Sequence, residues 1–337
     1  MKTSKFPLFI IASERSGTNL LRVRLSEAQE KYFGGSPAHL LKHLYYREPY
    51  FGPLKENENF KILLESAIKL CTVHFAPWNI NWSAEALLAE YGDRPRDALF
   101  VMDFMMEKYA NEQGRERYIS KENFLYEFAL DISARLPGAR FIFLFRDPRD
   151  VVASQCIRFY GSKSVSRFAR LWAYEQTRAI RVHEILAKSG LSISVSYEEL
   201  ITNEKNVIAR LVEFLRTDPT TEAVKFTERR DTVPQEWENL EKPTMSENFG
   251  NYRSIFSKRQ IKLIESICYL QMRYLGYKPN YYAPGDWVRG DLILDRLIHP
   301  IDKFRERLGK RKEKNDPVFH ERFKLINSLS VNYRSDR

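Results

Sequence analysis

Two short stretches carry residue types at spacings suited to holding an anion. In FRDPRDVVAS, residues 145–154, Arg146 follows an apolar run, and Asp147-Pro148 has the form of a helix N-cap followed by a first-turn proline. A helix is therefore expected to begin here, and Asp150, three residues after the cap, has the spacing of a capping box. Ser154 stands about two helical turns beyond Asp147, which returns it to the face where Arg146 lies. A guanidinium and a hydroxyl so placed can grip an anion. The competing reading is that Arg146 and Arg149 only pair with Asp147 and Asp150 in a capped turn.

The second stretch is ERSGTN, residues 14–19, set between an apolar run at 7–13 and a helix-like pattern at 20–30. A strand, a tight glycine-containing turn and a helix whose first amides face the turn form an anion site through exposed N–H groups and the helix dipole. Arg15 adds a fixed positive charge. Gly17 is followed by Thr18 and Asn19 rather than by Lys and Ser or Thr, so this is not a Walker A loop, and an ATPase is disfavoured.

Strands and helices must bring these two turns together. Residues 141–145 form a continuous apolar run of strand length, as a strand covered on both faces of a parallel sheet would. Residues 191–196 alternate as a strand. Helical patterns occupy 60–73, 83–91, 124–136, 162–188 and 206–215, whereas 217–245 is rich in turn formers and charge. This order predicts one α/β domain in three layers, with a central parallel sheet and helices on both faces. It spans 1–280 and is followed by a basic, helical extension at 281–337. That extension contains an apolar stripe and a basic run at 292–314, read either as a solvated helix or as a peripheral contact with an anionic membrane.

The composition is that of a soluble globular protein, with 337 residues, 43% of them hydrophobic. A net charge of +10 favours acidic partners without choosing among them. Cys71, Cys156 and Cys268 are widely spaced and odd in number, which disfavours a disulfide framework and fits a reducing, cytoplasmic setting. The apolar run near the start is too short for a membrane span. His39 and His43 have the step of a metal pair, but no third ligand stands nearby, so no metal is expected. Tyr45, Tyr46, Tyr50, Phe51, Trp78 and Trp82 are core residues or line an acceptor pocket.

The stretch ERSGTNLL resembles the 5′-phosphosulfate loop of sulfotransferases, and RDPRDVVAS resembles the 3′-phosphate motif of the same family, with Arg and Ser eight positions apart. The resemblance implies a P-loop nucleoside triphosphate hydrolase-like fold. It also implies transfer of a sulfuryl group from 3′-phosphoadenosine 5′-phosphosulfate (PAPS) to a hydroxyl or amine acceptor, with release of adenosine 3′,5′-bisphosphate. On that basis Arg15, Ser16, Gly17, Thr18 and Asn19 hold the 5′ end, and Arg146 and Ser154 hold the 3′-phosphate. Tyr197, in YEEL where the family has Tyr-Glu-Asp-Leu, lies by the adenine, and Arg253 closes on the 3′-phosphate ahead of Leu275-Gly276-Tyr277.

Lys121 stands where the family carries Lys-Thr-Pro, here Lys121-Glu122-Asn123, and is either a solvated lysine or the cation that steadies the leaving phosphate. His39 is either a surface histidine or the base that takes the acceptor's proton. Glu14 departs from the family's usual uncharged residue, so its carboxylate is expected to point away from the nucleotide. The acceptor class stays open among small molecules, glycans and lipids, and no nucleic acid is expected. The alternatives are a non-catalytic nucleotide-binding module of this fold and an atypical ATP-dependent kinase.

Overall fold

Five strands form: β1 (Leu8–Ile11), β2 (Tyr32–Phe33), β3 (Arg117–Ser120), β4 (Arg140–Phe145) and β5 (Ser192–Ser196), of which β1, β4 and β5 fall on the strand-like runs of the sequence and β2 and β3 do not. They make one sheet in the order β2-β3-β1-β4-β5, with every pairing parallel. The computed structural model describes residues 7–158, 164–215, 245, 247–286 and 317–331. In register, Leu8 lies beside Arg140 and Ile11 beside Phe143, so the turns leaving β1 and β4 emerge side by side at the carboxyl ends of neighbouring strands. That crevice is where ligands bind in open α/β sheets.

The helices are α1 (Thr18–Ala28), α2 (Leu40–Leu44), α3 (Asn57–Thr72), α4 (Ala84–Tyr91), α5 (Ala98–Glu112), α6 (Leu125–Arg135), α7 (Pro148–Arg158), α8 (Val165–Lys188), α9 (Tyr197–Thr202), α10 (Glu204–Leu215), α11 (Tyr252–Ile255), α12 (Lys258–Tyr274) and α13 (Pro317–Val331), with a 3-10 segment at Tyr45–Phe51. Side chains alternate across the sheet. Leu8, Ile10, Ile142 and Leu144 pack on one face with Leu21 and Leu25 of α1 and Leu211 of α10. Phe9, Ile11, Phe141 and Phe143 pack on the other with residues of α3, α5, α6 and α8. Phe9 and Phe141 stack with centroids 5.5 Å apart. Each such side chain contributes about 1.5–3 kcal/mol of burial, so the two turns leave strands anchored in the core. A third cluster joins Val151 and Val152 of α7 to Trp172 of α8 and Ile264 of α12.

Of the aromatics considered for an acceptor pocket, Trp78 is buried, stacks on Tyr109 at 4.3 Å and donates to Ser36 O, while Tyr46 faces solvent. Of the expected extension, α13 packs against α3 and the 3-10 segment and places Leu329 in the larger core. The stretch 292–314 and most of the loop at 217–245 lie outside the described residues. No helix among the described residues is long and apolar enough to cross a membrane. Cys71, Cys156 and Cys268 form no disulfide.

Candidate functional site

Arg15 and Ser154 meet. Arg15 Nε donates to Ser154 Oγ at 2.9 Å, and Arg146 Nη1 donates to the Arg15 carbonyl at 3.3 Å, so the turns after β1 and β4 share one set of contacts. The Arg146 guanidinium lies 4.1 Å over the centre of the Tyr197 ring, a cation–π contact, and its Nη2 donates to Asn248 O at 3.1 Å. Asn248 Nδ2 donates to the Tyr197 hydroxyl at 3.0 Å. Burial raises the Tyr197 phenol above its ordinary range, against the pull of Arg146. Gly17 completes this group. It has φ of +89°, and a Cβ there would overlap the Tyr197 ring, so only glycine fits.

In the loop itself, Ser16 is fully buried and its Oγ bonds Ser13 Oγ at 2.9 Å, which leaves the residue to act through its backbone N–H. Asn19 Oδ1 accepts from Arg22 Nε at 3.2 Å, and Thr18 begins α1.

The DPRD turn divides its charges between binding and bracing. Asp147 caps α7 as expected, its Oδ1 accepting from Arg149 N at 2.8 Å. Arg149 is buried and pairs with Asp147 at 2.6 Å and with Glu265 at 2.8 Å. These bonds and a further donation to Lys278 O make Arg149 a structural residue. The capping-box role read for Asp150 is not what the fold uses: its carboxylate accepts from Gly250 N at 2.6 Å and Tyr252 N at 3.1 Å. It thereby ties down the segment that carries Asn248. Glu198 accepts from Asp147 N at 3.0 Å and from the Tyr277 hydroxyl at 2.7 Å, which links YEEL and Leu275-Gly276-Tyr277 to the same turn.

The second half of the site is built on Lys121-Glu122-Asn123, directly after β3. Glu122 is buried and accepts from Leu40 N at 2.9 Å and Leu41 N at 3.1 Å, setting a negative charge on the first amides of α2. Burial raises its carboxyl to about 7 despite those amides. Asn123 is a hub. Its N–H donates to His39 Nδ1 at 3.2 Å, its Oδ1 accepts from Lys121 Nζ at 3.2 Å, and its Nδ2 donates to Glu14 Oε1 at 2.6 Å. Glu14 thus turns toward Asn123, and its neighbour Arg15 toward Ser154.

Because Nδ1 of His39 accepts a backbone N–H, the neutral ring carries its proton on Nε2. Burial, reinforced by the charges of Lys121 and Lys42, holds His39 well below the usual histidine range. Among the described residues the non-glycine residues with positive φ are Arg15 (69°), His39 (60°) and Phe124 (63°). All three flank this site, and each such backbone costs about 1–3 kcal/mol, a cost retained where the site needs the geometry.

Sequence reasoning therefore named Arg15, Ser16, Gly17, Thr18, Asn19, Arg146, Ser154 and Tyr197, and these lie around one crevice. His39 and Lys121 meet through Asn123. Arg253 is exposed on α11, with its guanidinium 4.8 Å over the Tyr252 ring rather than against Arg146 or Ser154. Asn248, Glu122, Asn123 and Arg322 were not singled out. Arg322, on α13, is 7% exposed and donates to Leu70 O at 2.9 Å, Val73 O at 2.6 Å and Ala38 O at 3.1 Å. It closes the end of α3 onto the residue preceding His39. The available signal for Glu122 and Asn123 was the pair of polar residues in a strand-to-helix turn, each needing a partner. Among the described residues no group of three His, Cys, Asp or Glu is arranged to hold a metal ion.

A family model described as "Sulfotransferase family" matches residues 7–222, more than half of the chain. Among solved structures, the sulfotransferase domain from the curacin biosynthetic pathway aligns at 19% identity and a TM-score of 0.55, covering 82% of this chain and 99% of that one. The sulfotransferase domain from the Synechococcus PCC 7002 olefin synthase aligns at 19% identity and a TM-score of 0.54, covering 82% of this chain and 97% of that one. At such identities the likeness speaks for the fold, which is the P-loop-like α/β/α arrangement. A search of curated proteins finds no match.

Proposed function

Because the chain belongs to the sulfotransferase family, we propose that it transfers a sulfuryl group from PAPS to a hydroxyl or amine acceptor and releases adenosine 3′,5′-bisphosphate. The observation that supports this most directly is the Arg15–Ser154 bond with Arg146 on the Arg15 carbonyl, since it makes the two anion-holding motifs one surface. Two features of that surface fit such a nucleotide. Arg146 Nε is buried with no hydrogen-bond partner, a donor left for a further anion. The 14–19 loop turns at Gly17, with φ of +89°, into the first amides of α1, the local form of an anion-binding turn.

PAPS supplies an activated sulfuryl group on a phosphate leaving group. The amides of Ser16, Gly17, Thr18 and Asn19 and the Arg15 guanidinium hold the 5′ end. Arg146 and Ser154 grip the 3′-phosphate, with Arg253 on the outer rim, and Tyr197 packs beside the adenine. Lys121 sets a compact positive charge where the leaving oxygen gains negative charge. His39 addresses the acceptor: through Nε2–H it donates to an oxygen, and to serve as base it must release Asn123 N and exchange tautomers. Rate enhancement comes from positioning and charge complementarity, and no metal enters the reading. The acceptor is a small molecule, a glycan or a lipid, met in the cytoplasm.

A thermal-shift comparison of adenosine 3′,5′-bisphosphate with ADP and with ATP plus magnesium tests the assignment. The bisphosphate should stabilise most, and Arg146→Ala should remove that preference; equal stabilisation by ATP plus magnesium would favour a kinase or NTPase instead. If the bisphosphate binds but no acceptor is ever modified, and His39→Gln and Lys121→Ala change nothing, a non-catalytic module is the answer.

A further inference from the structure

Glu175 is a buried acid with no partner. It lies on α8, 4% exposed, and its Oε2 makes no hydrogen bond. Tyr126, on the adjoining α6, is equally buried, and its hydroxyl also lacks a partner. The two are close enough to act on each other, since Glu175 is the leading charge that raises the Tyr126 phenol after burial itself. They are not bonded to one another. Two buried polar groups without partners are costly, and leucine and phenylalanine would stand in their places without that cost.

Their location is specific. Gln176, the next residue, donates from Nε2 to Ser13 Oγ at 3.1 Å, and Ser13 bonds Ser16 of the 14–19 loop. The charges that act on Glu175 are Glu14, Lys121 and Lys42. Glu14 and Lys121 are the residues joined to His39 through Asn123. Glu175 thus stands between the 14–19 loop and the acceptor half of the site.

We propose that Glu175 and Tyr126 together bind a second hydroxyl of the acceptor, beside the one that is sulfonated, so that polyhydroxylated acceptors are selected over monohydric alcohols. The inference rests on the sulfuryl transfer proposed above. Burial and the nearby Glu14 carboxylate push Glu175 up to about 8, so at neutral pH its carboxyl is protonated and both donates and accepts. Tyr126 has the same dual capacity. A hydroxyl, itself donor and acceptor, completes both groups at once; a hydrocarbon completes neither. Sites of this kind select strongly, because an acceptor lacking the hydroxyl leaves buried polar groups unpaired.

The test is transfer of radiolabelled sulfuryl from PAPS to matched pairs, trans-cyclohexane-1,2-diol against cyclohexanol and octyl glucoside against octanol. Wild type, Glu175→Leu and Tyr126→Phe are compared, with adenosine 3′,5′-bisphosphate affinity and melting temperature measured on the same preparations. Wild type should favour the polyhydroxylated members by roughly tenfold or more, and both variants should lose that preference. Bisphosphate affinity should stay within about twofold, and the Glu175→Leu melting temperature should not fall. Equal transfer to both members, transfer only to the monohydric ones, or no transfer to any polyhydroxylated compound overturns the proposal. So does a fall in melting temperature with an unchanged preference, the mark of a pair bridged by a structural water. Failure of wild type to bind the bisphosphate strikes the proposed function itself, and the acceptor inference falls with it.

Discussion

Arg15 and Ser154, separated by 139 positions, are joined by a 2.9 Å bond from Nε to Oγ. The contact exists because β1 and β4 are neighbours in parallel register, so the turn after one strand and the second turn of the helix after the other come to the same place. It divides labour within each turn: Arg15 faces Ser154 while Glu14 faces Asn123.

Ser154→Ala removes the acceptor of that bond and the hydroxyl proposed to donate to the 3′-phosphate. The affinity for adenosine 3′,5′-bisphosphate should fall about tenfold or more, in line with the worth of a hydrogen bond to a charged group, while ADP affinity changes little. Isothermal titration with both nucleotides checks this, and equal losses for the two would show that Ser154 does not read the 3′-phosphate.

Gly17 and Gly276 both have positive φ, but only Gly17 has a ring where a side chain would go. Gly276→Ala should cost about 1 kcal/mol from backbone strain alone. Gly17→Ala should cost more and also displace Tyr197, weakening nucleotide binding. Chemical denaturation of the pair, with bisphosphate titrations alongside, separates strain from overlap.

Stability should fall on both sides of neutrality. His39, His43 and His74 are all held below their ordinary value of 6.5, the last two to about 3, chiefly by burial. The unfolded chain then binds more protons than the folded one as pH drops below 6.5, so stability is lost toward about pH 3. Glu122 and Glu175 are raised to about 7 and about 8. For these the folded state holds the extra protons, so their contribution is full below about 4.5 and is lost as pH rises through 7 to 8. Melting temperatures across pH 4–9 test this. Glu175→Leu should flatten the alkaline limb, and His74→Gln the acid limb; unchanged limbs would contradict the assignment.

Arg322→Leu should destabilise the protein by about 2–4 kcal/mol, because three carbonyls lose a buried donor. A chain ended after residue 316 should lose at least as much. The melting temperature reads both; a truncated chain as stable as the whole would mean that α13 contributes nothing to the core.

The sequence by itself determined β1, β4 and β5, the turns that follow β1 and β4, and the cap at Asp147, since each depends on residues within about ten positions of one another. Buried strands need unbroken apolar runs, and helix starts need local caps, so both leave a local trace. It singled out Arg146 by its spacing from Ser154 but left open the competing reading, in which Arg146 and Arg149 only pair with Asp147 and Asp150. The decision lay with Glu265, 116 positions from Arg149, whose buried carboxylate takes that guanidinium and leaves Arg146 over Tyr197.

The same holds for the group of residues around His39 and Asn123. Glu122 reaches α2 across about 80 positions, and Arg322 reaches Ala38 across 284. Neither spacing has a period to read. Tertiary structure alone decided that His39 receives Asn123 N at Nδ1 and that Glu175 has no partner, because a hydrogen bond depends on where the chain folds back and not on how far it has travelled.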